Sequence, residues 1–201
     1  MQPFRTLEAR VLHLPLPNTD TDQIVPARFL SRGRSEGFGD AFLQGLRVRP
    51  DGTPIPGNPV DAARGAGILV AGANFGCGSS RESAVYAILD FGIRAVLAPS
   101  YGDIFAGNAA QNGLLCGTLA PDDAAALGAA LAATAEPVLR VDLDACLATL
   151  PDGARFPFGI DPFRRRCLLD GLDELGVTLT LSDRIAAFEA RPPPVPLPVP
   201  A

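Results

Sequence analysis

The sequence predicts an α/β domain with a parallel core sheet, and three observations predict it. Short apolar runs bounded by glycines, such as residues 67–72 and 114–119, have the length and composition of buried strands. They alternate with stretches of helical apolar spacing, the pattern that places helices between parallel strands. A glycine-rich turn, Asn74-Phe75-Gly76-Cys77-Gly78-Ser79-Ser80-Arg81-Glu82, joins the first of these strands to the first of these helices.

Taken in order, residues 4–12 read as a short strand, followed by a polar turn at 17–23 and a mixed segment ending in Phe29-Leu30. From 31 to 65, Gly, Pro, Arg and Asp dominate and periodicity is weak. This predicts a long excursion with one short helix near 38–46, and such loops are usually functional or mobile. Strand 67–72 leads through the glycine turn into a helix at about 80–91, stopped by Gly92. Strand 94–98, a short helix 104–111 capped by Asn112-Gly113, and strand 114–119 complete the best-ordered part.

Pro121-Asp122-Asp123 opens a helix reaching 135, with proline and acids where a helix start favours them. Strands are predicted at 138–143 and 156–160. A helix at 161–172 carries Asp161 as its cap and Pro162 next, and a last helix covers 180–190. The chain is thus one domain over 1–190, followed by a proline-rich, disordered tail at 191–201.

Composition narrows the function classes. Of 201 residues, 47% are hydrophobic and 19% charged, as in a soluble globular protein. A formal net charge of −5 argues against a general nucleic-acid or anionic-membrane surface. All 17 basic residues are arginine, which fits a GC-rich coding bias. Cys77, Cys116, Cys146 and Cys167 have no metal-ligand spacing and read as reduced thiols. The first residues lack the apolar stretch of a signal peptide, and no run is long enough to span a bilayer, so a cytoplasmic chain is expected.

The turn at 74–82 carries the chemistry. Ser79-x-x-Glu82 fits a capping box, which accounts for two of its residues. It leaves Gly76, Gly78, a second serine and an arginine at the helix start unexplained. Arginine there opposes the helix dipole unless an anion is near, so the composition favours a carboxylate site. The string is neither G-x-G-x-x-G nor G-x-S-x-G, and His13, the only histidine, reads as an ordinary strand-end residue. Asn18-Thr19-Asp20-Thr21-Asp22 begins like a calcium loop but continues with Gln23, so a polar Asx-type turn is favoured. Arg28, Arg32 and Arg34 read by default as solvated loop residues, and Arg164-Arg165-Arg166 as a solvated helix face.

Three segments together, NTDTDQIVPARFL (18–30), the stretch 68–115 containing NFGCGSSRE and GDIFAGN, and DPFRRRCLLDGLDELGVTLT (161–180), resemble the small subunits of 3-isopropylmalate dehydratase. These are the swivelling domains of the aconitase superfamily. The resemblance covers nearly the whole chain except its tail. It implies a three-layer β/β/α swivelling domain and a larger partner subunit holding a [4Fe–4S] cluster, with no metal bound by this chain. The implied reaction isomerises 2-isopropylmalate to 3-isopropylmalate by dehydration and rehydration, in leucine biosynthesis. The chain's own chemistry agrees that a partner is needed, because such a dehydration needs a Lewis acid and an activated base.

Carried over by position, the resemblance makes Ser79 the base and Arg81 a substrate-carboxylate ligand. Ser80 and the Gly78 turn complete the cradle, and Asp22 lies in the site's neighbourhood. It makes 29–39 the substrate-specificity region within the 29–65 excursion, with Arg28, Arg32 or Arg34 as a further carboxylate contact. Ser83 departs from the histidine or glutamine common after Arg-Glu, and Cys116 from a common proline; both are expected beside the site. The alternatives are the same chemistry on citramalate, dimethylmalate or homoaconitate, and a non-catalytic carboxylate-binding module.

Overall fold

The computed structural model describes residues 1–191, so the predicted tail lies, from 192 onward, outside the described residues. The chain opens with β1 (Thr6–Leu14), then three one-turn helices, α1 (Thr21–Ile24), α2 (Gln44–Arg47) and α3 (Pro59–Ala62). The predicted alternation follows: β2 (Ile68–Ala71), α4 (Glu82–Phe91), β3 (Ala95–Ala98), α5 (Asp103–Gln111) and β4 (Leu115–Leu119). Then come α6 (Pro121–Ala132), β5 (Val138–Asp142), β6 (Leu147–Thr149), β7 (Arg155–Gly159), α7 (Pro162–Asp170), α8 (Glu174–Leu179) and α9 (Ser182–Glu189).

The strands close in the order β1-β2-β3-β4-β7-β6-β5. β1 to β4 are parallel, as the glycine-bounded runs predicted. β5, β6 and β7 complete the closure as antiparallel strands. Side chains on a strand alternate between faces, and the register turns that alternation into two cores. Val11, Ile68, Ala95 and Leu115 form one paired row facing the barrel interior. Leu12, Leu69, Val96 and Cys116 form the next row, facing the helices. Ala84, Val85, Ala87 and Ile88 of α4 and Phe105 and Ala109 of α5 cover that second row. The result is an antiparallel β-layer, a parallel β-layer and a helical layer.

Three sequence expectations need correction. The 29–65 excursion is not loose: Phe38, Ala41, Phe42, Leu43 and Val60 are buried in the helix-side core. Gly39 passes so close to α4 that a Cβ would lie 2.7 Å from the Asp90 carbonyl oxygen. The helix expected near 38–46 is only the single turn of α2, entered through Leu43 at φ 48°. β6 and α8 were not anticipated, since three residues and six residues are too short for a period to emerge.

Other boundaries follow local chemistry as read. Gly92 ends α4 in the left-handed region at φ 112°. Pro121 opens α6, and the Asp161 side chain accepts from Arg164 N to cap α7. All four cysteines are free thiols. No helix among the described residues is long and apolar enough to cross a membrane.

Candidate active site

The glycine turn leaves the end of β2 and is latched on both sides by backbone pairing. On one side it meets the segment before α1: Asn18 N donates to Ala73 O, Gly76 N to Thr19 O, and Thr21 N to Cys77 O at 2.9 Å. On the other it meets the end of β3: Phe75 N donates to Ser100 O, and Gly102 N to Phe75 O. The Asn74 side chain ties to Asn18, and its backbone N–H donates to Ser100 Oγ. The turn is therefore held by two neighbouring connections rather than by its own residues.

The two glycines of the motif have separate reasons. Gly76 sits at φ 71°, and a Cβ there would lie 2.3 Å from the Phe105 ring. Gly78 is needed for its φ of 92° alone, since a Cβ would find only ordinary contacts. Phe75, packed edge-on against Phe105 at 5.4 Å, anchors the turn in the core.

Beyond Gly78 the chain surfaces. Ser79 and Ser80 are exposed, and neither hydroxyl has a partner among the described residues. The Ser79 peptide itself is fixed, because Thr21 Oγ1 donates to the Ser79 carbonyl at 2.9 Å. Sequence reasoning placed Thr21 in a polar turn and missed this role; its signal was the threonine repeated in the Thr-Asp-Thr-Asp string.

The capping box read from Ser79 and Glu82 does not form. Arg81 is the N-cap residue of α4, in extended conformation, and no side chain caps that helix. Glu82 instead accepts from Asn112 Nδ2 at 2.9 Å, at the end of α5. The N–H groups of Glu82 and Ser83 therefore stay open, while Ala84 N donates to the Arg81 carbonyl at 3.1 Å, and at that start the helix dipole favours an anion. The capping box appears instead at α1, where Asp20 accepts from Gln23 N and Gln23 Oε1 accepts from Asp20 N.

Arg81 turns toward α1 and donates to the Asp22 carboxylate and, at 3.5 Å, to the Val25 carbonyl. The fold thus unites Gly78, Ser79, Ser80, Arg81 and Asp22. A cavity of about 370 Å³ adjoins Asp22 and is walled chiefly by Leu16, Pro26, Leu43 and Leu46.

The three loop arginines part company. Arg32 forms a two-pronged pair with Asp40 at 2.6 and 3.0 Å, and its hydrogen bond holds the Asp40 carboxyl below the usual range. Arg34 pairs the same way with Asp90 at 2.7 and 2.8 Å and stacks over Tyr86. Arg28 contacts only the neutral Gln44 side chain and the Phe29 ring, and has no carboxylate partner among the described residues. The Arg164–Arg166 face is also less solvated than expected, because Arg165 donates to the carbonyls of Leu143 and Asp144.

Ser83 is the second residue of α4, beside the site. Cys116 is half-buried in β4, and desolvation there pushes its thiol pKa up to about 12. No group of three or more potential metal ligands converges among the described residues.

Residues 1–121 match the family described as the aconitase C-terminal domain. A 3-isopropylmalate dehydratase small subunit from Anaeromyxobacter dehalogenans (strain 2CP-C) is 48% identical over 191 residues, covering 94% of this chain and 98% of that one. One from Novosphingobium aromaticivorans is 47% identical over 193 residues, covering 95% and 91%. A crystal structure of 3-isopropylmalate dehydratase from Methanocaldococcus jannaschii superposes with a TM-score of 0.66 at 25% identity, covering 92% of this chain and 99% of that one.

Proposed function

The chain belongs to the aconitase C-terminal domain family, alongside the small subunits of 3-isopropylmalate dehydratase, and from that premise we propose its activity. It is the small subunit of a hydro-lyase that interconverts 2-isopropylmalate and 3-isopropylmalate by dehydration and rehydration, in leucine biosynthesis, working only with a large subunit. The observation that carries this reading is the juxtaposition of two unpartnered hydroxyls, an uncapped helix start and Arg81 on one exposed, rigidly latched turn.

Each group has a task. The substrate diacid lies with one carboxylate against Arg81, whose planar fork suits two-point binding, and against the open N–H groups of α4. Ser80 and the Gly78 peptide complete that cradle. Ser79, as its deprotonated oxygen, accepts the carbon-bound proton and becomes the neutral hydroxyl; no described residue bonds that oxygen, and Thr21 fixes the Ser79 carbonyl. The open start of α4 favours an ionised serine oxygen, while the charge of Arg81 is shared with Asp22. Asp22 holds Arg81 in place.

The leaving hydroxide needs a Lewis acid, and the [4Fe–4S] cluster that supplies it belongs to the large subunit. The apolar cavity beside Asp22 suits a branched hydrocarbon rather than a further carboxylate. Arg32 and Arg34 are already neutralised by Asp40 and Asp90, which leaves Arg28 as the loop arginine available to a second carboxylate.

The test is anaerobic reconstitution of this chain with its cluster-bearing large subunit, followed by assay on a panel of hydroxy diacids. The highest kcat/KM is expected on 2- and 3-isopropylmalate, ahead of citramalate, dimethylmalate and homoaconitate. A pair that turns over none of them sinks the reading, and preference for another diacid moves the substrate but not the chemistry.

A further inference from the structure

Thr21, on α1, is a polar residue buried to 2% exposure or less, too deep to touch a substrate. It makes two hydrogen bonds to the glycine turn, and they bracket Gly78. Its backbone N–H donates to the Cys77 carbonyl, and its hydroxyl donates to the Ser79 carbonyl, each at 2.9 Å. The next residue of α1, Asp22, holds Arg81. One turn of helix thus grips both the proposed base and the proposed carboxylate ligand. That turn is itself fixed by the reciprocal Asp20–Gln23 capping box.

The two bonds from Thr21 act on different peptides. The backbone bond fixes the peptide before Gly78, and any residue with an N–H could make it. The hydroxyl bond fixes the peptide after Ser79, and it needs a side-chain donor at position 21. Between these peptides lies Gly78 at φ 92°, a residue that does little to hold its own conformation. Neither the Ser79 nor the Ser80 N–H has an acceptor among the described residues, so the turn here is fixed through Thr21.

In a trans peptide the carbonyl and the following N–H point in opposite directions. With the Ser79 carbonyl drawn toward buried Thr21, the Ser80 N–H is turned away from it, free for a substrate carboxylate. The same bond limits how far the Ser79 backbone, and with it the serine oxygen, can swing. Threonine's branched Cβ restricts its own rotation, which keeps the hydroxyl aimed.

We propose that Thr21 is a positioning residue for the dehydration, acting through Ser79. Its hydroxyl holds the Ser79 peptide so that the serine oxygen stays within reach of the carbon-bound proton. This rests on the reading of Ser79 as the base. Proton transfer needs its heavy atoms within hydrogen-bond reach, and a misplacement of about 1 Å can cost on the order of 10²-fold in rate. The Thr21 hydroxyl bonds to Ser79 and not to the Asp22–Arg81 pair, so its loss falls on kcat rather than KM.

The test is a double-mutant cycle in the enzyme reconstituted with its large subunit. Thr21→Val keeps the side-chain shape and the backbone bond to Cys77 and removes the hydroxyl. It should lower kcat about tenfold or more with KM within about twofold, and Thr21→Ser, which keeps the donor, should restore most of that loss. In the Ser79→Ala background the same change should cost less than about twofold, because a residue that acts through the base has nothing left to position. A Thr21→Val kcat within twofold of the unaltered enzyme, while Ser79→Ala is impaired, overturns the proposal and leaves the Ser79 reading standing. An equal loss in both backgrounds overturns it too, and reduces Thr21 to a general prop of the fold. Near-normal turnover in Ser79→Ala refutes Ser79 as the base, and the positioning role with it. An unaltered pair that turns over no diacid refutes both. Thr21→Ala removes the hydroxyl without setting a methyl against the Ser79 carbonyl, and decides the cycle where Thr21→Val does not fold.

Discussion

Arg81 donates to the carboxylate of Asp22, 59 residues earlier in the chain, and so joins the start of α4 to α1. The arginine side chain is 16% exposed and the aspartate 54%, so the cation is held while the acid remains open to solvent. A carboxylate bound there, as proposed, would meet a guanidinium that is already oriented, and binding would lose little side-chain entropy in fixing it.

Arg81→Lys keeps the charge and loses the fork. Charge-assisted hydrogen bonds contribute about 1.5–3 kcal/mol, so KM in the reconstituted enzyme should rise roughly tenfold or more. Steady-state kinetics on 2-isopropylmalate check this, and an unchanged KM removes Arg81 from the carboxylate site.

Ser79→Ala removes the proposed base without touching the Thr21 latch, which uses the Ser79 carbonyl. Turnover should fall by about 10²–10⁴, with assembly and melting temperature intact. Near-normal turnover rejects Ser79 as the base.

Gly76→Ala tests the construction of the turn rather than its chemistry. The new Cβ meets the Phe105 ring at 2.3 Å and demands a left-handed backbone. Roughly 1–2 kcal/mol for the conformation and ~1–3 kcal/mol for overpacking should appear in denaturant unfolding. Gly78→Ala, which carries the conformational cost alone, should be the milder of the two.

Asp90→Ala should destabilise the fold through the excursion, not the site. Its carboxylate accepts from both Arg34 nitrogens and from Phe38 N at 2.9 Å. Leaving the Phe38 amide without its partner costs about 1–3 kcal/mol. The melting temperature should drop while KM changes little; a large KM change with an unaltered melt places this pair at the substrate instead.

The Cys116 thiol, raised by burial to about 12, stays protonated at pH 8, where a free cysteine is partly thiolate. Native protein treated with iodoacetamide at pH 8 should leave Cys116 unmodified by mass spectrometry, and unfolding should expose it. Rapid native labelling contradicts its placement in the helix-side row of β4.

Much of the fold was legible because it is written locally. Glycine-bounded apolar runs gave the parallel strands, and Gly92, Pro121 and Asp161 gave helix ends, since each acts on its immediate neighbours. β6 escaped because three residues carry no period. The closure into a barrel escaped because β5 to β7 return to β1 through pairings of residues far apart in the chain.

The site divides the same way. By itself the sequence determined that residues 74–82 form a glycine-dependent turn at a helix start, and that serines and an arginine stand on it. Backbone conformation and helix polarity are properties of consecutive residues, so no tertiary contact was needed. Only the tertiary structure decided how those residues are used. It set Arg81 against Asp22, gave Glu82 to Asn112, and left the start of α4 uncapped. It also bound Arg32 and Arg34 to Asp40 and Asp90 while leaving Arg28 with a neutral neighbour. Each of these is a choice among charged or polar partners along the chain. Only chain closure, which brings distant carboxylates and amides within hydrogen-bond reach, makes that choice.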